Sequence, residues 1–244
     1  MPLFGILLCV VAFALNPAPP PELPPHFPVD IPILMYHTSA EHHPGPLAEL
    51  YVRPSEFERQ MLHLIDSGFT FVTFDDWERL HTIQRPVMVT FDDGYPANYY
   101  EIFPILQEHG VPIVLFLSCM AIESHGFTED MIRTMHASGL VFFEGHSQTH
   151  ADLAAIAGDT ACLRREIYEN RQNIESLTGR RPIAFAYPAG RFNAAVKDMT
   201  AAYFRFGLRH DLGMHNTAYD DFEIRRIRIS RSTPFNTFVQ LVGA

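Results

Sequence analysis

The chain of 244 residues lacks any block of Lys or Arg, and its 18 basic side chains are outnumbered by 28 acidic ones, for a formal net charge of −10. A surface of that sign repels a phosphate backbone, which excludes DNA and RNA as partners. Cysteine is scarce: of three, only Cys119 and Cys162 lie beyond the first ten residues, so no disulfide framework is implied. Whether those two pair is open. No apolar run is long enough for a comfortable membrane-spanning helix. Internal repeats are absent. What is present is a hydrophobic content of 47%, enough for one α/β domain with a large core.

The ends of the chain have their own composition. Leu3 to Leu15 is a short uncharged apolar run, and Ala12-Phe13-Ala14 resembles a small-x-small cleavage site. Residues 1–16 therefore read as a signal peptide, with an uncleaved N-terminal anchor as the alternative and the one route to a membrane. Export to the cell envelope or the medium follows. Residues 17–30 form a proline-rich linker, extended in polyproline II. Residues 31–244 are the domain.

Within that domain, apolar runs alternate with amphipathic ones. Ile31–Tyr36, Phe69–Phe74, Pro86–Phe91, Val111–Leu117, Leu140–Phe143, Pro182–Ala186, Phe204–Leu208 and Ile224–Ile229 read as strands. Helices are expected over Ser55–Ser67, Ala97–His109, Thr128–Ala137, Thr160–Leu177 and Ala194–Tyr203, with Ser55 and Thr128 as caps. Such alternation implies parallel strands with right-handed crossovers, and seven or eight units imply a barrel. Barrels of this kind gather their chemistry at the C-terminal ends of strands.

Two pairs of residues stand at such ends. Asp92 and Asp93 follow one buried run, and two adjacent carboxylates there would repel and lose water unless a cation joins them. Capping of the next helix is the plainer alternative. About fifty residues on, His146 and His150 follow another run at i, i+4 spacing, and a helical turn would aim both imidazoles one way. Two imidazoles and one carboxylate suit a catalytic metal, with an open position for water or substrate. His37 ends the run Ile31–Tyr36 and shares that rim. Asp75-Asp76 lacks the following Gly and fits a helix N-cap, with Trp77 starting a packed helix.

Thr90-Phe91-Asp92-Asp93-Gly94 and His146-Ser147-Gln148-Thr149-His150 resemble the first two motifs of the polysaccharide deacetylases, carbohydrate esterase family 4. The resemblance extends over most of the domain and implies a distorted (β/α) barrel of about seven parallel strands. It implies Asp92 as general base and Asp93, His146 and His150 as ligands of a divalent metal, with Zn2+ as the expected ion. The partner implied is an N-acetylated polysaccharide, deacetylated with release of acetate. An O-acetyl esterase on xylan or another glycan, and a non-catalytic glycan-binding domain, are the rival readings.

The third motif departs from the family pattern. In Phe185-Ala186-Tyr187-Pro188-Ala189-Gly190, Ala186 stands where the family has the Arg that steadies the base. Ala189, beside Tyr187, could still give a backbone N–H to an oxyanion. Arg191 or Arg225 could replace the missing Arg. The cluster Arg225, Arg226, Arg228 and Arg231 reads as one charged strand face, with a patch for an anionic glycan as the lesser alternative. Phe-Ala-Tyr-Pro-x-Gly, together with Leu34-Met35-Tyr36-His37, resembles the subgroup acting on poly-N-acetylglucosamine, which makes His37 the candidate general acid. His210 and His215, in an expected polar loop, are lesser candidates for substrate contact.

Overall fold

A computed structural model describes residues 28–42 and 45–243. The expected signal peptide and most of the linker lie outside the described residues. Seven parallel strands form the frame: β1 (Ile33–Tyr36), β2 (Pro86–Asp93), β3 (Ile113–Leu117), β4 (Val141–Gly145), β5 (Ala184–Ala186), β6 (Phe206–Leu212) and β7 (Ile224–Arg228). They stand in the order β1-β7-β6-β5-β4-β3-β2. Pairing of β1 with β2, from Ile33 opposite Met88 to Tyr36 opposite Phe91, closes the ring. The expected distorted (β/α) barrel is the fold.

The six longest α-helices among the described residues wrap the outside: α1 (Pro54–Asp66), α2 (Phe103–His109), α3 (Glu129–Ala137), α4 (Asn170–Thr178), α5 (Ala194–Ala201) and α6 (Phe235–Val242). Strand side chains alternate between two apolar layers, as a pleated strand requires. Val87, Val89 and Phe91 face outward and pack with Phe57 and Leu64 of α1. Met88 faces inward with Ile33, Val114, Phe116, Phe206 and Ile224. Each such side chain, fully buried, contributes about 1.5–3 kcal/mol. Continuing the alternation past Met88 aims Thr90 and then Asp92 into the barrel.

Several local expectations are revised. The run Phe69–Phe74 yields only the two-residue strand Thr70–Phe71. It is followed by a 3-10 helix over Phe74–Thr82, whose cap is Thr73 rather than Asp75 or Asp76. Asp76 closes a capping box on the Thr73 N–H at 2.8 Å, while Asp75 pairs with Arg180 at 2.7 Å. Trp77 does pack, its ring 4.9 Å from that of Phe206, and this helix joins the inner layer. Ser55 caps nothing: α1 begins at Pro54 after an extended Arg53. Thr128 does cap α3, its side chain accepting from Met131 N–H. The long segments 97–109 and 160–177 each contain a π-turn, at Asn98–Ile102 and Arg165–Glu169. Helix α6 carried no advance signal beyond its apolar residues.

One seam of the barrel is held by a side chain. Strands β4 and β5 meet in ladder register at Gly145 opposite Phe185. Below that point the Glu144 carboxylate accepts from the N–H groups of Ile183 (2.6 Å) and Ala184 (2.7 Å) and from Arg180 (2.7 Å). It satisfies strand donors that would otherwise be buried without a partner. Even so, burial pushes Glu144 up to about 7, against the lowering pull of Arg180.

Candidate active site

A cavity of about 390 Å³ opens at the C-terminal ends of the strands. Its lining includes His37, Asp92, Asp93, His146, His150, Tyr187 and Ala189, together with His210, Arg226 and Arg228. The expected base, acid, ligand and oxyanion residues therefore all line one space.

The local backbone there is unusual. Among the described residues, five other than glycine have positive φ, and four of them lie at the site: Asp93 (73°), Ser147 (68°), His150 (57°) and Ala189 (52°). Such conformations cost about 1–3 kcal/mol each and persist where the surroundings over-determine them. At Asp93 the positive φ breaks the strand alternation, so adjacent carboxylates can both reach the mouth. His146 and His150 do not converge through a helical turn as expected. Residues 146–150 form a loop, and its left-handed residues bring the rings together, 5.0 Å apart at their centres.

The three expected ligands form one cluster. His146 Nε2 lies 3.3 Å and His150 Nε2 3.2 Å from Asp93 Oδ1. All three donor atoms lie within 4.8 Å of one another. Ligands about 2.0–2.1 Å from a tetrahedral ion stand about 3.3 Å apart, which is the spacing of each imidazole nitrogen from Asp93 Oδ1. Asp93 Oδ1 is buried and has no aligned hydrogen bond. The donor set and its spacing fit a divalent ion. His146 Nδ1 lies 2.7 Å from the Ala186 carbonyl, which assigns it the proton and leaves Nε2 to ligate. Burial alone would raise Asp93, but His146 and His150 outweigh it and hold the carboxyl well below its ordinary value.

Asp92, 2% exposed, is held by a residue the sequence did not single out. Arg226 donates from Nη1 to Oδ1 at 2.6 Å and from Nη2 to Oδ2 at 2.8 Å. It also donates from Nε to the Arg209 carbonyl at 3.2 Å. This overturns the reading of the arginine cluster as one charged face, because Arg226 is 1% exposed inside the barrel. It also overturns both suggested substitutes. Arg191 pairs with Asp152 at 2.8 Å, and Arg225 lies over the Tyr219 ring. The available signal was the inward position of Arg226 in the β7 alternation. Burial would raise Asp92, yet Arg226 and His146 hold it below the usual carboxylate value.

The remaining residues divide. Burial lowers His37 below an ordinary imidazole, with Asp92 and Asp93 pulling the other way. The Tyr187 hydroxyl donates to the Phe222 carbonyl at 3.1 Å, so its phenol is committed to packing. Ala189 sits in the 3-10 turn Pro188–Gly190. Gly190 has φ 67° and is needed there, because a Cβ would lie 2.3 Å from His210 Cβ. His210 lines the cavity, while His215 is buried away from it against Trp77, at 5.8 Å between rings.

Residues 79–206, just over half of the chain, match the polysaccharide deacetylase family. The chain belongs to that family. The YxkH protein of Bacillus subtilis is 25% identical to this deacetylase over 210 residues, spanning 83% of this chain and 72% of the other. A poly-β-1,6-N-acetyl-D-glucosamine N-deacetylase of Staphylococcus epidermidis is 24% identical over 212 residues, spanning 78% and 71%. The crystal structure of a polysaccharide deacetylase from Bacillus cereus superposes with a TM-score of 0.82 at 28% identity, covering 88% of this chain and 70% of that one. Among the described residues, no helix is long and apolar enough to cross a membrane.

Proposed function

We propose that this deacetylase removes N-acetyl groups from a β-linked N-acetylglucosamine polysaccharide and releases acetate. The observation that carries the reading is the Asp93–His146–His150 cluster beside a second carboxylate, Asp92, kept ionised by Arg226. Asp93, His146 and His150 would hold a divalent ion, zinc by the chemistry of two imidazoles and a carboxylate. Bound there, it would supply Lewis acidity and an acidified water.

The chain's own groups account for the proton transfers. Asp92 accepts the proton of the attacking water, while Arg226 fixes both carboxylate oxygens and so aims the free lone pairs. A low carboxylate pKa makes Asp92 a weak base, which is workable where the water is itself acidified. His37 gives a proton to the departing amine; burial disfavours its protonated form, and the carboxylates of Asp92 and Asp93 oppose that and favour the charged imidazole the step needs. The Ala189 N–H supports the oxyanion. The carbon–nitrogen bond breaks, and the amine leaves protonated.

The named activity of the staphylococcal relative supports a poly-N-acetylglucosamine substrate. Action at the cell surface is part of the same proposal. The test is acetate release from N-acetylglucosamine oligomers of different linkage and from acetylxylan, with wild type and Asp92→Asn. Wild type should release acetate from the oligomers, and Asp92→Asn should bind metal without releasing it. Release from acetylxylan alone would assign an O-acetyl esterase, and near-wild-type release by Asp92→Asn would remove Asp92 as the base.

A further inference from the structure

The loop that carries both histidines, residues 146–150, has no regular structure and includes two left-handed residues. Backbone bonds tie it to the neighbouring loop, from His146 N–H to the Leu117 carbonyl and from the N–H groups of Cys119 and Met120 to the carbonyls of Ser147 and Gln148, and none of these reaches Thr149 or His150. We infer that Glu166 and Asn170, on the helical stretch behind it, impose it and act as positioning residues for the metal-binding histidines. The inference rests on the reading of Asp93, His146 and His150 as ligands.

Asn170 is fully buried and Glu166 is 3% exposed. Asn170 Oδ1 accepts from His146 N–H at 3.1 Å. Its Nδ2 donates to the carbonyls of Ser147 (2.8 Å) and Leu117 (3.0 Å) and approaches Cys119 Sγ at 3.3 Å. The Glu166 backbone carbonyl accepts from Gln148 N–H at 3.0 Å. Its carboxylate accepts from Thr149 N–H at 2.8 Å and Thr149 Oγ1 at 2.9 Å. The two residues thus touch 146, 147, 148 and 149 in succession, and His150 follows directly with its φ of 57°.

The helix is deformed where these contacts arise. A π-turn spans Arg165–Glu169, between α4 and the short helix Thr160–Arg164. Glu166 lies within it and Asn170 directly follows it, and at four residues apart the two share the helix face that meets the loop. π-turns are rare and concentrate at functional sites. A buried carboxylate is costly unless hydrogen-bonded, and here the loop supplies the donors. The loop and the π-turn therefore satisfy each other. Losing Glu166 leaves the Thr149 N–H unsatisfied and frees the left-handed turn at His150, so its Nε2 wanders from Asp93.

A purely structural role would change stability and leave ligation alone, so the readout is binding of cobalt(II) by the full chain, titrated by its visible absorption spectrum. Removing a group that orients a metal ligand lowers affinity by about 10–100-fold. Glu166→Ala and Asn170→Asp should each lose that much and change the spectrum. Glu166→Gln should recover most of it, because an amide can still accept from Thr149 N–H and donate to Oγ1. Where Glu166→Ala does not fold, Thr149→Val removes the hydroxyl half of the contact and should weaken cobalt several-fold. Folded Glu166→Ala, or in its place Thr149→Val, with wild-type affinity and spectrum overturns the role of Glu166, and Asn170→Asp with both unchanged overturns that of Asn170. Failure of wild type to bind cobalt overturns the ligand reading along with the inference.

Discussion

The guanidinium of Arg226 grips the carboxylate of Asp92 at 2.6 and 2.8 Å inside the barrel, across 134 residues of sequence. Both groups are out of water, so each makes the other tolerable. Arg226→Met leaves Asp92 buried without its partner and should cost about 3–5 kcal/mol of stability, seen in urea unfolding. With the Arg226 charge and hydrogen bonds gone, the Asp92 pKa rises, and the acid limb of kcat/KM should move to higher pH. An unmoved limb would separate the pair from the base. Arg226→Lys keeps the charge and loses the fork, so it should fold better than Arg226→Met yet lose most activity.

Chelation should abolish acetate release, and added zinc should restore it. At one hundred times its Kd, zinc adds about 2.7 kcal/mol, which raises Tm by roughly 5–10 °C for a domain of this size. Asp93→Asn should lose that rise while Asp92→Asn keeps it. Equal zinc-induced shifts in the two variants would contradict the division between ligand and base.

His215 gives the fold a pH dependence. It is fully buried, and burial, helped by Arg225, pushes it down to about 4 while Asp30 pulls upward. An imidazole depressed by folding disfavours its own protonation, so its contribution is intact above the unfolded value of about 6.5. That contribution is lost progressively as pH falls from there toward 4. His215→Phe keeps the stack on Trp77 and removes the proton, so its Tm should fall less than wild type between pH 7 and pH 4.5. Parallel declines would show that His215 is not the group responsible.

Gly190→Ala tests the turn beside Ala189, the proposed oxyanion donor. The left-handed φ costs about 1–2 kcal/mol for a side chain, and the added Cβ would meet the Cβ and backbone of His210. Overpacking adds about 1–3 kcal/mol. The variant should melt several degrees lower and lose activity through displacement of Ala189. Unchanged melting and turnover would show that the turn adapts.

The Asp93–His146–His150 cluster and Asp92 were legible as candidate site residues because motif and strand end coincide in sequence. A buried apolar run stops, and Asp92 and Asp93 or His146 follow at once. The route by which the histidines converge was not legible, since an i, i+4 spacing suits a helix and a left-handed loop alike. Tertiary contacts from Glu166 and Asn170 coincide with the loop form. Secondary-structure ends shifted for the same reason: Phe69–Phe74 is apolar enough for a strand, but most of it packs instead as the approach to the helix bearing Trp77.

By itself, then, the sequence determined the alternation of strands and helices, the acidic and histidine pairs, and the loss of an arginine at Ala186. Those features are local, set by neighbours in the chain. Only the tertiary structure decided what replaces that arginine. The strand alternation makes Arg226 an inward residue, but which carboxylate its long side chain meets depends on how β7 and β2 are staggered around the closed barrel. The same holds for Glu144, which bridges a seam that exists only once β4 and β5 stand side by side. Contacts across a barrel depend on register, and register is a property of the whole ring rather than of any one stretch of it.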